Sequence, residues 1–77
     1  MASSLPSLSP VKVVWALKRA GFVEVRQKGS HLILFNNATG RRVTIPMHRG
    51  KDIKKSLLRK IIELEAFMSV EDFLKLL

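Results

Sequence analysis

The 77-residue chain has 14 Lys and Arg against 6 Asp and Glu, two His and no Cys, and its formal net charge is +8. This length allows one small domain with a thin core and excludes a separate cofactor-binding domain. The lack of Cys excludes disulfide scaffolds, Cys-ligated zinc and thiol nucleophiles. The hydrophobic content of 47% is too high for a disordered basic tail.

The positive charge is concentrated in the first 60 residues. They hold 13 Lys and Arg against 2 Asp and Glu, a net charge of +11, whereas residues 61–77 hold one base against four acids. A basic surface of this size attracts polyanions through counterion release. Nucleic acid is therefore the first candidate ligand. An anionic membrane surface and an acidic protein partner are the second and third.

Signals for membrane insertion or export are missing from the sequence. The longest unbroken apolar run, residues 13–17, is far too short to span a bilayer. The first ten residues do not combine a charged start with an apolar stretch, as a signal peptide does. We therefore expect a cytoplasmic protein.

The N-terminal region predicts a lead-in followed by a helix. Ser and Pro crowd residues 1–8, which we interpret as a flexible lead-in to a single domain over residues 9–77. Ser9 is a suitable N-cap and Pro10 suits the first helical position. The helix is expected to end near Ala20, before Gly21. Its apolar face consists of Val13, Val14, Leu17 and Ala20.

Three strands are predicted next, joined by short loops. Val23 and Val25 alternate with charged residues, which is typical of a half-buried strand. A turn at residues 28–30 leads into residues 31–35, which are apolar on both faces, as in a central strand. Residues 36–40 form a hairpin loop, and residues 41–45 form a third strand that Pro46 ends.

A second helix is predicted to start at residues 51–53, and a short one follows the N-cap Ser69. The order α-β-β-β-α, plus a short C-terminal helix, predicts an α+β fold. Two helices would pack on one face of a three-stranded antiparallel sheet, as in double-stranded-RNA-binding domains. The apolar face of the second helix consists of Ile53, Leu57, Leu58, Ile61, Ile62 and Leu64.

Histidine is the side-chain type best suited to proton transfer near neutral pH, and the chain has His31 and His48. His31 follows the predicted turn and lies near Arg26 and Lys28. Cleavage of RNA needs a base, an acid and cations for the phosphate, so this arrangement suits a nuclease. The alternative is that His31 is an ordinary surface residue at the start of a strand. Two histidines without clustered acids do not predict a metal site.

Two further features are candidates for binding. The loop containing His48, followed by Lys51, would cradle a phosphate if it lies at a helix N-terminus; otherwise it is an ordinary basic loop. Trp15 lies on the helix face of Lys12 and Arg19. An exposed Trp15 would stack on a nucleobase or anchor a protein partner. The alternative is that it packs over the edge of the core or over the terminal helix.

The order and spacing of several short motifs resemble the HicA family of small bacterial and archaeal toxins, also called YcfA-like proteins. The resemblance covers about residues 11–64 without a gap. The motifs, in order, are AGFV (residues 20–23), QKGSH (27–31), GRRVTIP (40–46), His48 and GK (50–51).

This resemblance implies a double-stranded-RNA-binding-like fold, metal-independent mRNA interferase activity without a cofactor, and inhibition by a HicB-type antitoxin. The family's catalytic histidine follows the Gly-Ser turn and corresponds to His31. Many members have two consecutive His there, whereas this chain has His31 followed by Leu32. We assign a partner contact to Trp15 and RNA contacts to Arg26, Lys28, Gly29, Ser30, Arg42, His48 and Lys51.

A different class of function remains open at this stage. A single histidine without an evident second acid or base also fits a non-catalytic small RNA-binding or regulatory domain, or a degenerate, inactive toxin.

Overall fold

A computed structural model describes residues 5–77 and confirms the α-β-β-β-α order with a short C-terminal helix. The strands form one antiparallel sheet in the order β1-β2-β3. The elements are α1 (Pro10–Arg19), β1 (Phe22–Lys28), β2 (His31–Asn36), β3 (Arg42–Pro46), α2 (Lys55–Lys60), a π-helical segment (Ile61–Glu65) that continues α2, and α3 (Val70–Leu74).

Helix α1 begins and ends as the sequence predicts. The Ser9 hydroxyl accepts a hydrogen bond from the Lys12 backbone N–H at 3.3 Å, and Pro10 occupies the first turn. The chain leaves the helix through Gly21, whose φ of 101° favours glycine. Val13 and Leu17 are fully buried, so this face of α1 covers the core.

The sheet has one buried and one open face. Leu32 and Leu34 of β2, with Val43 and Ile45 of β3, point into the core. The intervening residues of both strands point to the opposite face, where Ile33 is only partly buried. The second apolar face of β2 is therefore part of an open surface and not of the core.

Strand β1 differs from the expected half-buried strand. Phe22 is buried, but Val23 and Val25 are 49% and 56% exposed. β1 is an edge strand whose register with β2 shifts between Glu24 and Arg26, so Val25 lies at a bulge. The alternation of valines and charges therefore did not identify the buried face.

The second helix begins at Lys55, later than predicted, because Ile53 is held in an extended segment. The Ile53 backbone N–H donates to the Leu8 carbonyl at 2.7 Å, and the two residues form an isolated antiparallel bridge. Leu5 is also buried, so the last residues of the predicted flexible lead-in pack against the domain. Residues 1–4 of that lead-in lie outside the described residues.

The second helix and the π-helical segment bury fewer of the predicted apolar side chains than expected, and for Leu64 the π-helical turns are the reason. Ile61 and Ile62 are buried as predicted, but Leu57 and Leu64 are 42% and 64% exposed. A π turn adds a residue to each turn and thereby rotates the following side chains relative to an α-helix. Leu64 therefore faces solvent, although a regular helical period places it on the apolar face.

A polar side chain links α1 to the hairpin loop between β2 and β3. Asn36 is 4% exposed, and its side-chain amide donates to the Ala20 carbonyl at 3.1 Å. Its carbonyl oxygen accepts from the backbone N–H groups of Ala38 and Thr39. One of these bonds ties the loop to the end of α1, and the other two hold the loop itself.

Candidate nucleic-acid interface

The open face of the sheet carries much of the predicted binding set. Residues directly opposite each other in a ladder share a face. The β1–β2 ladder pairs Lys28 with His31 and Arg26 with Ile33, and the β2–β3 ladder pairs Phe35 with Arg42. Two apolar side chains of β2 therefore lie between cations of the neighbouring strands, with His31 at one end.

A groove of about 550 Å³ brings both histidines of the chain together at that end of the sheet. It lies between β3, the loop after it and the start of α2. His31 and His48 are both exposed. Their charged neighbours in the groove are the cations Lys51 and Lys54 and the carboxylates Asp52 and Glu65. The full lining is His31, Thr44, Pro46, His48, Lys51, Asp52, Ile53, Lys54, Ser56, Leu57 and Glu65.

The position of His48 follows from backbone pairing. His31 is opposite Pro46 in the ladder. One residue later the Met47 backbone N–H donates to the Ser30 carbonyl at 2.6 Å. This bond holds the loop after β3 beside the turn before β2, so the two histidines line one groove although 17 positions separate them in the sequence.

The loop containing His48 does not lie at the N-terminus of the second helix, as one sequence-based alternative required. Residues 51–54 separate it from α2. It borders instead a second cavity of about 460 Å³ beside the start of α1, lined by Ser9, Pro10 and Val11. His48, Lys51 and Asp52 line both cavities and form the boundary between them.

The remaining predicted residues fall into two groups. Gly29 and Ser30 form the two-residue turn that precedes His31, and their carbonyls accept hydrogen bonds from the Gln27 side chain and the Met47 backbone. Trp15 lies away from the groove, on the outer face of α1. It is 55% exposed, and the Arg19 guanidinium carbon lies 4.4 Å from the ring centroid.

Sequence reasoning missed several residues that line the groove, above all Glu65. The Glu65 carboxylate accepts a hydrogen bond from the Thr44 backbone N–H at 2.9 Å. If the helix were regular, the sequence would identify Glu65 only as one of the four acids in the negative C-terminal region. The π-helical turn before it is not evident from residue types, so no simple signal would have placed Glu65 beside β3.

Among residues 5–77, no three His, Cys, Asp or Glu side chains are grouped closely enough to hold a metal ion. None of the helices in that part of the chain has the length and apolar character needed to cross a bilayer.

Comparison with known proteins identifies the family. No curated protein sequence and no solved structure gives a significant match to the chain. A family model described as the HicA toxin of bacterial toxin-antitoxin systems matches residues 12–65, which include α1, the sheet and the groove-lining loop. Because the match covers more than half of the chain, this protein belongs to the HicA toxin family and is the toxin partner of an antitoxin.

Proposed function

We propose that this toxin is a metal-independent endoribonuclease that cleaves mRNA, with His31 as a general acid or base. The observation that carries the proposal is the groove that contains both His31 and His48 next to Lys51. It supplies the second proton-transfer group that the sequence alone did not provide beside His31.

The chemistry requires two coupled proton movements. A base takes the proton of the ribose 2′-hydroxyl, whose oxygen then attacks the adjacent phosphorus. The bond to the 5′-oxygen breaks, and an acid gives that oxygen a proton. The products are a 2′,3′-cyclic phosphate and a 5′-hydroxyl, and no water, metal or oxidant is consumed. Two imidazoles in opposite protonation states fulfil both roles.

Cations in and around the groove would stabilise the negative charge of the reacting phosphate. Negative charge on the non-bridging phosphate oxygens is best stabilised by fixed cations close to the reacting phosphate. Lys51 and Lys54 line the groove itself. Arg26, Lys28 and Arg42 lie on the adjoining open face, where we assign them to the phosphates on either side of the cleaved bond. Gly29 and Ser30 complete the RNA contacts as the turn that presents His31.

The antitoxin partner is proposed to be of the HicB type and to block access of RNA to the groove. Its proposed anchor is Trp15, because an exposed tryptophan beside a cation is a common centre of protein interfaces. Trp15 lines a shallow cavity with Ser9, Val11 and Lys12 on α1. A partner that contacts both this face and the loop of His48 would cover the groove.

The decisive experiment uses purified wild type, His31→Ala, His48→Ala and a control, Lys75→Ala. Each protein is incubated with single-stranded RNA, with and without EDTA, and the 5′ and 3′ ends of the products are identified. We expect wild type to cleave RNA equally well with and without EDTA and to leave 5′-hydroxyl ends. Either histidine substitution should lower the rate of cleavage at least about 100-fold. Equal cleavage by His31→Ala would remove His31 from the chemistry.

Measurements of RNA binding and antitoxin binding by the same wild-type protein separate the non-catalytic alternatives. If the wild type binds RNA but cleaves none under any condition, the chain is an RNA-binding domain. If it neither binds nor cleaves RNA yet still binds its antitoxin, it is an inactive toxin.

A further inference from the structure

Phe67 occupies an unusual position at the end of the π-helical segment. Among the described residues it is the one non-glycine with a positive φ, 60°, and it is 73% exposed. Glycine, or less often asparagine, normally takes this left-handed position after a helix, because larger side chains are disfavoured there. An aromatic ring that gains little burial and adopts a disfavoured backbone conformation needs another explanation.

The backbone around Phe67 is held in this conformation from both sides. The Ala66 N–H donates to the Ile61 carbonyl at 2.8 Å, and the Met68 N–H donates to the Ile62 carbonyl at 3.0 Å. These bonds use carbonyls that the end of a helix otherwise leaves unpaired. The ring therefore projects from a fixed turn and not from a loose loop.

Arg41 fixes the ring further. Its Nε donates to the Glu65 carbonyl at 3.1 Å, and its Nη2 donates to the Leu64 carbonyl at 2.9 Å. The guanidinium carbon lies 4.5 Å from the centroid of the Phe67 ring, which is the geometry of a cation–π contact. The planar cation thus lies over one face of the aromatic ring, and the other face remains available for a flat ligand.

This pair is continuous with the groove that holds the two histidines. The carbonyl of Glu65 binds Arg41, while its carboxylate binds the Thr44 backbone and lines the groove. Arg42, the next residue, begins β3 and points to the open face of the sheet. Strand β3 from Arg42 to Pro46 spans about 13 Å at the usual rise per residue. An RNA strand in the groove therefore reaches Phe67 within a few nucleotides.

We propose that Phe67, with Arg41, is a nucleobase-binding subsite for the RNA that the groove cleaves. The ring stacks on the base of a nucleotide near the cleaved bond, and Arg41 and Arg42 are close to its phosphates. Stacking suits single-stranded RNA, since every base has a flat face. The Arg41 cation held against the ring favours a ligand with negative phosphates, such as a nucleotide, over an apolar protein segment. Phe67 lies two residues beyond the segment matched by the family model.

Because this inference rests on the proposed RNA function, its test measures binding apart from cleavage. Wild type, Phe67→Gly and Phe67→Trp are titrated with a single-stranded 2′-O-methyl oligoribonucleotide, which lacks the attacking hydroxyl. Loss of one stacked base should weaken the affinity of Phe67→Gly by roughly 5- to 100-fold. Phe67→Trp should bind at least as well as wild type.

The glycine variant also excludes a trivial folding defect. Glycine relieves the disfavoured backbone conformation at this position, so Phe67→Gly should melt at or above the temperature of wild type while binding RNA more weakly. Leu64→Ala, which removes another exposed apolar side chain of the same segment, should bind RNA as wild type does.

Each other outcome overturns the proposal in a recognisable way. If wild type binds RNA and Phe67→Gly binds it equally well, the subsite is wrong although the nuclease proposal stands. If Phe67→Gly instead loses affinity only for the antitoxin, the ring is a protein contact. If wild type itself does not bind the oligonucleotide, the RNA function fails and the subsite fails with it.

Discussion

The Glu65 carboxylate accepts a hydrogen bond from the backbone N–H of Thr44, and this bond links the end of the π-helical segment to the outer edge of β3. The contact satisfies an N–H that an edge strand otherwise leaves without a partner in the sheet. It also places a negative charge in a groove that contains Lys51 and Lys54. Glu65 therefore contributes to the stability of this edge and, through its charge, opposes the binding of a polyanion.

Substitution of Glu65 should separate these two effects. Glu65→Ala removes the acceptor and should lower the free energy of unfolding by about 1 kcal/mol. Glu65→Gln keeps an acceptor oxygen without the charge, so it should retain most of that stability and bind RNA more tightly than wild type. Urea unfolding and RNA titration measure both effects. A folded Glu65→Gln variant that no longer cleaves RNA would instead place Glu65 in the chemistry.

The cations of the open face should be visible in the salt dependence of RNA binding. For single strands, the logarithm of the binding constant falls with the logarithm of salt concentration by about 0.7 per neutralised phosphate. Arg42→Gln should therefore reduce the magnitude of that slope by about 0.7. Lys75→Gln, on the C-terminal side of α3 next to Asp72, is the matched control and should leave the slope unchanged. If both variants have the same slope, Arg42 does not neutralise an RNA phosphate.

The order of elements was predictable because each carries a local signal. Ser9 and Ser69 mark helix starts, because each side chain accepts a hydrogen bond from a backbone N–H in the first turn of its helix. Gly29 and Gly40 mark turns that require a positive φ. Such signals depend on a few neighbouring residues, so they can be interpreted without knowledge of the rest of the fold.

The predictions that the structure corrects concern features without a local signal in the sequence, such as pairing between distant residues and π-helical turns. Ile53 is extended because Leu8 pairs with it, 45 positions earlier in the chain. Leu64 is exposed because the preceding turns are π-helical, which no propensity indicates. The second histidine of the groove was recognised as a candidate, but its position beside His31 required the pairing of Met47 with Ser30.

Asn36 should be among the residues most sensitive to substitution outside the apolar core. Asn36→Ala removes three hydrogen bonds at a site that is 4% exposed and leaves the Ala20 carbonyl without its side-chain donor. We expect a loss of about 2–3 kcal/mol in the free energy of unfolding. Asn37→Ala, the exposed neighbour in the same loop, should change it by less than about 0.5 kcal/mol. Thermal unfolding of both variants measures the difference. If Asn36→Ala and Asn37→Ala lose similar stability, Asn36 has no special role.

Trp15 should affect inhibition and not toxicity. If the antitoxin anchors on this residue, Trp15→Ala should weaken toxin–antitoxin binding by roughly 30-fold or more, while cleavage of RNA by the free toxin stays at the wild-type level. Trp15→Phe, which keeps an aromatic ring beside Arg19, should retain part of the affinity. Growth arrest that co-expressed antitoxin no longer prevents is the readout in cells. Full inhibition of Trp15→Ala would place the antitoxin elsewhere on the toxin.

The roles of the two histidines should be separable by the pH dependence of cleavage. With one imidazole acting as base and the other as acid, the rate requires one to be neutral and the other protonated, so the profile of kcat/KM is bell-shaped. His48→Ala should leave a slow reaction whose profile has lost one limb, and His31→Ala should lose the opposite limb. Lys51→Ala, which alters a groove cation but no imidazole, should lower the rate and keep both limbs. If His48→Ala keeps a complete bell with an unchanged kcat, His48 binds RNA without transferring a proton.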